Sequence, residues 1–313
     1  MNPTDIPAVN NFEHLFERAR KKAGRIRPRA ALVVPSAHGW LSAFDRAIRE
    51  QLVDPFVIGD EQLCHDKCTE YGIELPDARF IDINEPDKAF QVAVRMAARG
   101  ELDLVVKGRG STIDFLGILL DKESGFVPKG ATLSHIGVIK PEVYPKLLLL
   151  TDAGVIPHPD LKTKVALIAN LGRAADAMGL GKPRVAVLAA VEAIYTQMQV
   201  TTEAAVLAKM YDRGQIKAAT VDGPLSFDCA IDMDAARGKG LEDSPVAGRA
   251  DALLAPNIET ANGLFKSLAL YGKSETGGIL IGGRTPVALG NRWDSPLTRY
   301  HSIVLGVLVS SLS

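Results

Sequence analysis

Val221-Asp222-Gly223-Pro224-Leu225-Ser226-Phe227-Asp228 and, further on, Ala255-Pro256-Asn257-Ile258-Glu259-Thr260-Ala261-Asn262-Gly263-Leu264-Phe265-Lys266 share one pattern. In each, an apolar strand stops at a polar loop containing glycine, and helical spacing follows. In α/β proteins that junction exposes backbone N–H groups to a ligand, and a small charged substrate is expected there.

The same alternation extends in both directions. Ala31 to Pro35, Pro55 to Gly59, Ala78 to Ile83 and Leu102 to Lys107 read as buried strands, continuous and rich in Val, Ile and Leu. Leu41 to Leu52 and Ala89 to Ala98 carry apolar residues at three- and four-residue spacing, as expected of helices covering a sheet. A parallel sheet with right-handed crossovers is predicted for this part. From Leu133 the pattern changes. Ile136 to Ile139 and Lys146 to Leu150 flank Pro141-Glu142-Val143-Tyr144-Pro145 and are expected to pair as a hairpin or sheet extension. Alternation then resumes as far as Leu270, and Ile303 to Val309 is expected to lie in a core-packed final helix. Asp222-Gly223-Pro224 and Asp228 are read as shaping a strand-to-helix loop.

At 313 residues and 47% hydrophobic content, two domains are expected. Lysine and arginine (36) balance aspartate and glutamate (37), which argues against nucleic acid as a partner. The start of the chain has no apolar run behind a basic segment, and no stretch has the length of a bilayer helix, so a cytoplasmic protein with no membrane partner is expected. Three cysteines make no disulfide framework. Cys64-His65-Asp66-Lys67-Cys68 lacks a second cluster to complete four ligands, so no metal site is assigned. Gly108-Arg109-Gly110-Ser111-Thr112 has no Walker spacing, and Pro35-Ser36-Ala37-His38-Gly39 is no dinucleotide fingerprint.

From about Leu104 onward a series of short blocks stands in a fixed order: Lys107-Gly108, Gly125 through Leu133-Ser134-His135, Leu150-Thr151-Asp152-Ala153 and Leu188-Ala189-Ala190-Val191-Glu192. Arg213-Gly214-Gln215-Ile216, Asp222-Gly223-Pro224-Leu225, Pro245-Val246-Ala247-Gly248, Asn262, Lys266 and Asn291-Arg292 with Asp294-Ser295 complete it. This series resembles the phosphate acetyltransferase and phosphate butyryltransferase family, and the wording of the blocks is nearer the butyryltransferases. The resemblance implies two three-layer α/β domains with an interdomain cleft, as in the isocitrate/isopropylmalate dehydrogenases. Domain I would comprise residues 1–140 and 281–313, and an inserted domain II residues 141–280. It also implies the reaction short-chain acyl-CoA + phosphate = acyl phosphate + CoA, with acetyl or butyryl as the acyl group, in a ternary complex. Coenzyme A is a substrate there, no cofactor or metal is called for, and a homodimer or higher homo-oligomer is implied.

The resemblance also assigns roles. Arg292 would hold phosphate, for which a guanidinium fork is suited. Asn291 stands where most relatives carry serine, and its amide would steady the acyl oxygen. Asp294 is read either as the base for the coenzyme A thiol or as a cap or partner orienting the arginine. Ser134 and His135 are assigned to phosphate or acyl contact; Lys107 beside Gly108 at a strand end suits an anion, and Asn262 with Lys266, one helical turn apart, suits the phosphates of coenzyme A. Two other functions fit the sequence: a catalytically impaired acyl-CoA-binding homologue, suggested by Asn291, and an NAD(P)-dependent hydroxy-acid oxidoreductase on a related fold.

Overall fold

The computed structural model describes residues 9–311. The leading part runs α1 (Phe12–Ala23), β1 (Arg29–Val33), α2 (His38–Arg49), β2 (Asp54–Gly59), α3 (Glu61–Tyr71), β3 (Arg79–Asp82), α4 (Pro86–Ala98), β4 (Leu104–Lys107) and α5 (Thr112–Leu120). The strands stand in the order β3-β2-β1-β4 and all pair in parallel, as the crossover pattern predicts. Ala30 to Val33 and Leu104 to Lys107 are buried throughout, which is why these runs read as continuous rather than alternating.

Helix α2 lies about three residues before its predicted span. Gln51 takes a left-handed φ of 58°, and Leu52 N–H turns back to Ala47 O, so the apolar tail of that pattern closes the helix instead of continuing it. Helix α5 was not foreseen. It starts where the Ser111 side chain accepts the Asp114 N–H, directly after the loop Gly108-Arg109-Gly110.

The middle part runs β5 (Ser134–Lys140), β6 (Leu148–Thr151), α6 (Leu161–Met178), β7 (Arg184–Leu188), α7 (Gln199–Asp212), β8 (Thr220–Leu225), α8 (Phe227–Ile231), α9 (Met233–Gly238), β9 (Ala252–Leu254) and α10 (Ile258–Leu270). Its strand order is β5-β6-β9-β7-β8. β5 and β6 form the expected antiparallel pair, with Val138 opposite Leu149, and the remaining pairs are parallel. Ile139, Leu148, Leu150, Leu253 and Phe265 belong to one core cluster here.

Asp222-Gly223-Pro224 departs from its predicted place, because it lies inside β8 and not in the loop after it. The strand absorbs it through a register shift opposite Ala186 and Leu188. A Cβ on Gly223 would come within 2.8 Å of Val187 O, so only glycine fits that approach. β8 ends the strand order, and proline is tolerated on such an edge because its missing N–H breaks no ladder. The helix after it is led by Ser226 instead of an aspartate, and Asp232 caps α9.

The last part runs β10 (Glu275–Ile281), β11 (Val287–Ala288) and α11 (Pro296–Val309). β11 joins β4 in parallel and β10 in antiparallel pairing, so the end of the chain returns to the leading strands. Every residue of α11 from Arg299 to Leu308 is buried, and the helix packs on α1 and α2. Contacts divide the chain into two compact units, one of Phe12–Leu133 plus the residues from Gly277 onward, the other containing Ser134–Thr276.

Candidate functional site

In the first unit the candidate residues gather where parallel strands β1 and β4 end. Gly108 N–H donates to Val33 O at 2.9 Å and Arg109 N–H to Val34 O at 3.1 Å. A Cβ on Gly108 would come within 2.3 Å of Val33 O, so this glycine lets the two strand ends close on each other. Lys107, the last residue of β4, is only 5% exposed, and its Nζ donates to Gly110 O at 2.8 Å. Burial, reinforced by the positive charges of Arg292 and Arg299, brings its pKa down to about 8.

The segment 290–295 is a tight turn held at both ends. Asn291 N–H donates to Asp294 Oδ2 at 2.7 Å, and Asp294 N–H returns to Asn291 O at 3.2 Å. Ser295, not Asp294, caps α11, its Oγ accepting from Thr298 N–H at 3.1 Å. The cap reading of Asp294 therefore gives way to one in which this carboxylate folds the turn. Asp294 is buried. Burial raises its pKa, opposed by the Asn291 hydrogen bonds and the charge of Arg299, and Oδ1 has no hydrogen-bond partner. Arg292 stands exposed on this turn and Asn291 is half-buried.

Arg299 was missed by sequence reasoning. It lies 8% exposed on α11, over the Trp40 ring at 5.3 Å, and its Nη2 reaches Asn291 O at 3.4 Å and Arg292 O at 3.3 Å. The available signal was an arginine one turn into a helix with no other Arg, Lys, Asp or Glu. Three cations and one carboxylate thus meet around the turn, an arrangement whose field favours an anion.

The second unit places Ser134 and His135 at the start of β5. Ser134 Oγ accepts from Asn170 Nδ2 at 2.7 Å. His135 is buried with Nδ1 unpartnered, its ring edge-on to Phe265, and burial lowers its pKa to about 4, so the imidazole is neutral. Its carbonyl accepts from Thr151 Oγ1 at 3.0 Å. Asp152 follows β6, and its Oδ1 accepts from Gly154 and Val155 N–H at 2.8 and 2.9 Å. Burial outweighs those hydrogen bonds and raises its pKa to about 6, while Oδ2 has no hydrogen-bond partner. Asp152 belongs to the block Leu150-Thr151-Asp152-Ala153 and is not among the residues that the sequence assigns to the site. A carboxylate closing the apolar run Leu147 to Leu150 was the signal.

Asn262 donates from Nδ2 to Ala153 O at 2.9 Å, tying α10 to the turn after β6. Lys266, one turn on, is half-buried. The nine predicted site residues therefore fall into two groups: Lys107, Gly108, Asn291, Arg292 and Asp294 in one unit, and Ser134, His135, Asn262 and Lys266 in the other.

Among the described residues, the run Cys64 to Cys68 does not gather three potential metal ligands. Burial pushes the Cys64 thiol up to about 12, which keeps it protonated, and Cys68 is raised for the same reason. Glu192, Asp228 and Cys229 approach one another, but Glu192 already pairs with Lys239 at 3.3 Å and accepts from Ser226. Among the described residues, no helix is long and apolar enough to cross a membrane.

Residues 85–305 match the family described as phosphate acetyl/butaryl transferase. A phosphate butyryltransferase of Clostridium beijerinckii is 40% identical over 301 residues, covering 96% of this chain and 98% of the relative. Among solved structures, a branched-chain phosphotransacylase from Enterococcus faecalis V583 superposes with a TM-score of 0.77 at 27% identity, covering 90% of this chain and 98% of that one. A 4-hydroxythreonine-4-phosphate dehydrogenase from Klebsiella pneumoniae, at 13% identity, shares the fold alone, with a TM-score of 0.56 over 91% of this chain and 100% of that one. Identity of this order across nearly the whole length, joined to the family match, shows that the chain belongs to the phosphate acetyl/butaryl transferase family of acyltransferases.

Proposed function

We propose that the protein moves a short acyl group between coenzyme A and inorganic phosphate. The observation that carries this reading is the meeting of Lys107, Arg292 and Arg299 around a turn with a single carboxylate. In one direction a phosphate oxygen attacks the thioester carbonyl, the C–S bond breaks, and the coenzyme A sulfur leaves with a proton. In the other, the thiol loses its proton and attacks the acyl phosphate carbonyl, and phosphate leaves. Arg292 holds the phosphate through a two-pronged guanidinium contact. The Asn291 side-chain amide donates to the carbonyl oxygen as negative charge develops there. Asp294 exchanges the thiol proton through Oδ1, the oxygen not engaged by the turn, and its burial-raised pKa helps it to carry that proton. Alignment of the two substrates supplies most of the acceleration.

On the same reading, Ser134 and His135 contact the acyl group or phosphate, and Asn262 with Lys266 contacts coenzyme A. Gly108 acts by letting Lys107 sit at the strand end. The two compact units serve as the two domains, and the enzyme works in the cytoplasm as a homodimer or larger homo-oligomer. The butyryltransferase relative and the branched-chain phosphotransacylase support a butyryl-sized or branched acyl group ahead of acetyl.

The test is thiol release from acetyl-, propionyl- and butyryl-CoA with and without phosphate, beside Arg292→Ala. Phosphate-dependent release that disappears in the variant is expected, fastest with butyryl-CoA. Acyl-CoA binding without release in the wild type would overturn the reading in favour of a non-catalytic acyl-CoA-binding protein.

A further inference from the structure

Arg299 spends its hydrogen bonds in an unusual way. It is buried beside Asp294, yet its Nη2 goes to the backbone carbonyls of Asn291 and Arg292, and Asp294 Oδ1 has no hydrogen-bond partner. An arginine present only to neutralise that carboxylate would be expected to pair with it in a fork. The surroundings are shaped around the guanidinium. A Cβ on Gly39 would stand 3.2 Å from its Cζ, Nε and Nη1, and Trp40 lies over it. Gly290 makes room for the other side of the turn, since a Cβ there would come within 2.8 Å of Asp294 Oδ2 and 3.0 Å of the Trp40 ring.

We propose that Arg299 is a positioning residue, which fixes the two carbonyls of the Asn291–Arg292 segment from the buried side so that the Arg292 side chain is held toward its anion. Asp294 fixes the N–H of Asn291, and Arg299 fixes the carbonyls of Asn291 and Arg292. The backbone of the segment is then restrained at three polar groups, which leaves the Asn291 and Arg292 side chains to engage a ligand from a fixed base. Both carbonyls are reached by the one nitrogen Nη2, while the rest of the planar guanidinium is seated beside Gly39 and over Trp40, so a lysine ammonium could reach the carbonyls but would lack that seating. The inference rests on the reading of this turn as the phosphate site.

Two measurements on the full chain keep the two ideas apart. The first is binding of inorganic phosphate and of butyryl-CoA to wild type, Arg299→Met, Arg299→Lys and Gly39→Ala by calorimetry. The second is amide hydrogen exchange at residues 290–295 without ligand. Arg299→Met is expected to weaken phosphate about tenfold or more while butyryl-CoA binding stays within about twofold. Arg299→Lys should recover part of the loss, and Gly39→Ala, which crowds the guanidinium without removing it, should weaken phosphate by about threefold. Exchange at Asn291 and Asp294 should quicken in Arg299→Met. Unchanged exchange in the turn, or an equal loss of both ligands with no recovery in Arg299→Lys, would overturn the positioning role. Faster exchange in a protein whose wild type binds no phosphate would leave the positioning role standing and overturn the phosphate reading.

Discussion

Lys107, Arg292 and Arg299 concentrate like charge in one unit, with a single carboxylate among them, whereas in the other unit His135 and Asp152 are buried as groups that resist charge. The first arrangement gathers positive charge, and Lys107, whose pKa burial brings down to about 8, is lowered further by Arg292 and Arg299. The second is organised by hydrogen bonds between backbone and side chain: Ser134 with Asn170, Thr151 with the His135 carbonyl, Asn262 with the Ala153 carbonyl. The contrast suggests a division of labour. Electrostatic attraction is concentrated at one cluster, and shape and orientation are maintained at the other.

Removing the charge is the most direct way to break this contrast. Arg292→Ala should lower kcat/KM for phosphate by about 10³, on the order of 4 kcal/mol, and leave butyryl-CoA binding within about threefold. Comparable losses of both ligands would mean that the two clusters do not divide the work.

The second test is the pH dependence of stability, read from urea unfolding between pH 4 and 8. His135 has a folded pKa near 4, below the value of 6.5 for a free imidazole. Its contribution is present above about pH 6.5 and is lost as pH falls toward 4, up to ~3 kcal/mol. Asp152 has a folded pKa near 6, above the usual 3.8. Its contribution is fully present below about pH 4 and is lost as pH rises through 6, also up to ~3 kcal/mol. The two slopes oppose each other, so the wild type should vary little over this window. His135→Gln should become less stable as pH rises, and Asp152→Asn less stable as pH falls. Parallel profiles in both variants would show that neither group is held neutral.

A smaller effect separates the two uses of Asp294. Asp294→Asn keeps an oxygen for the Asn291 N–H and removes the proton acceptor, so kcat should fall about 10²-fold with little change in KM for phosphate. A rise in KM alone would reduce Asp294 to its turn-forming role. The smallest effect belongs to Lys266→Ala, which removes a half-buried lysine proposed to contact a coenzyme A phosphate and should raise KM for butyryl-CoA about twofold to fivefold, under ~1 kcal/mol.

Much of this was legible in the chain. β1 and β4 are buried almost throughout and β2 in large part, as continuous apolar runs imply, whereas β3, read in the same way, has no buried residue, and the break after Leu133 marked the β5–β6 pair. Arg292 and Asp294 were found through their neighbours in sequence. Arg299 was not, because its partners are carbonyls, which carry no side-chain signature, and Trp40, which is remote in the chain. β8 was misread at Asp222-Gly223-Pro224 because glycine and proline usually punctuate a strand, and the close approach to Val187 that calls for Gly223 exists only after folding. The neutral state of His135 was illegible for a related reason: it follows from burial under residues distant in sequence.

The return of β11 to β4 also bears on biosynthesis. Lys107 leaves the ribosome well before Arg292 and Arg299, with the whole of Ser134–Thr276 between them, an interval of roughly 10–40 s at ordinary elongation rates. Throughout it, β4 has β1 on one side and nothing on the side that β11 will fill, and the buried face awaiting α11 is uncovered. The nascent chain thus carries an open strand edge and an apolar face for many seconds, which makes it a natural client for a holding chaperone.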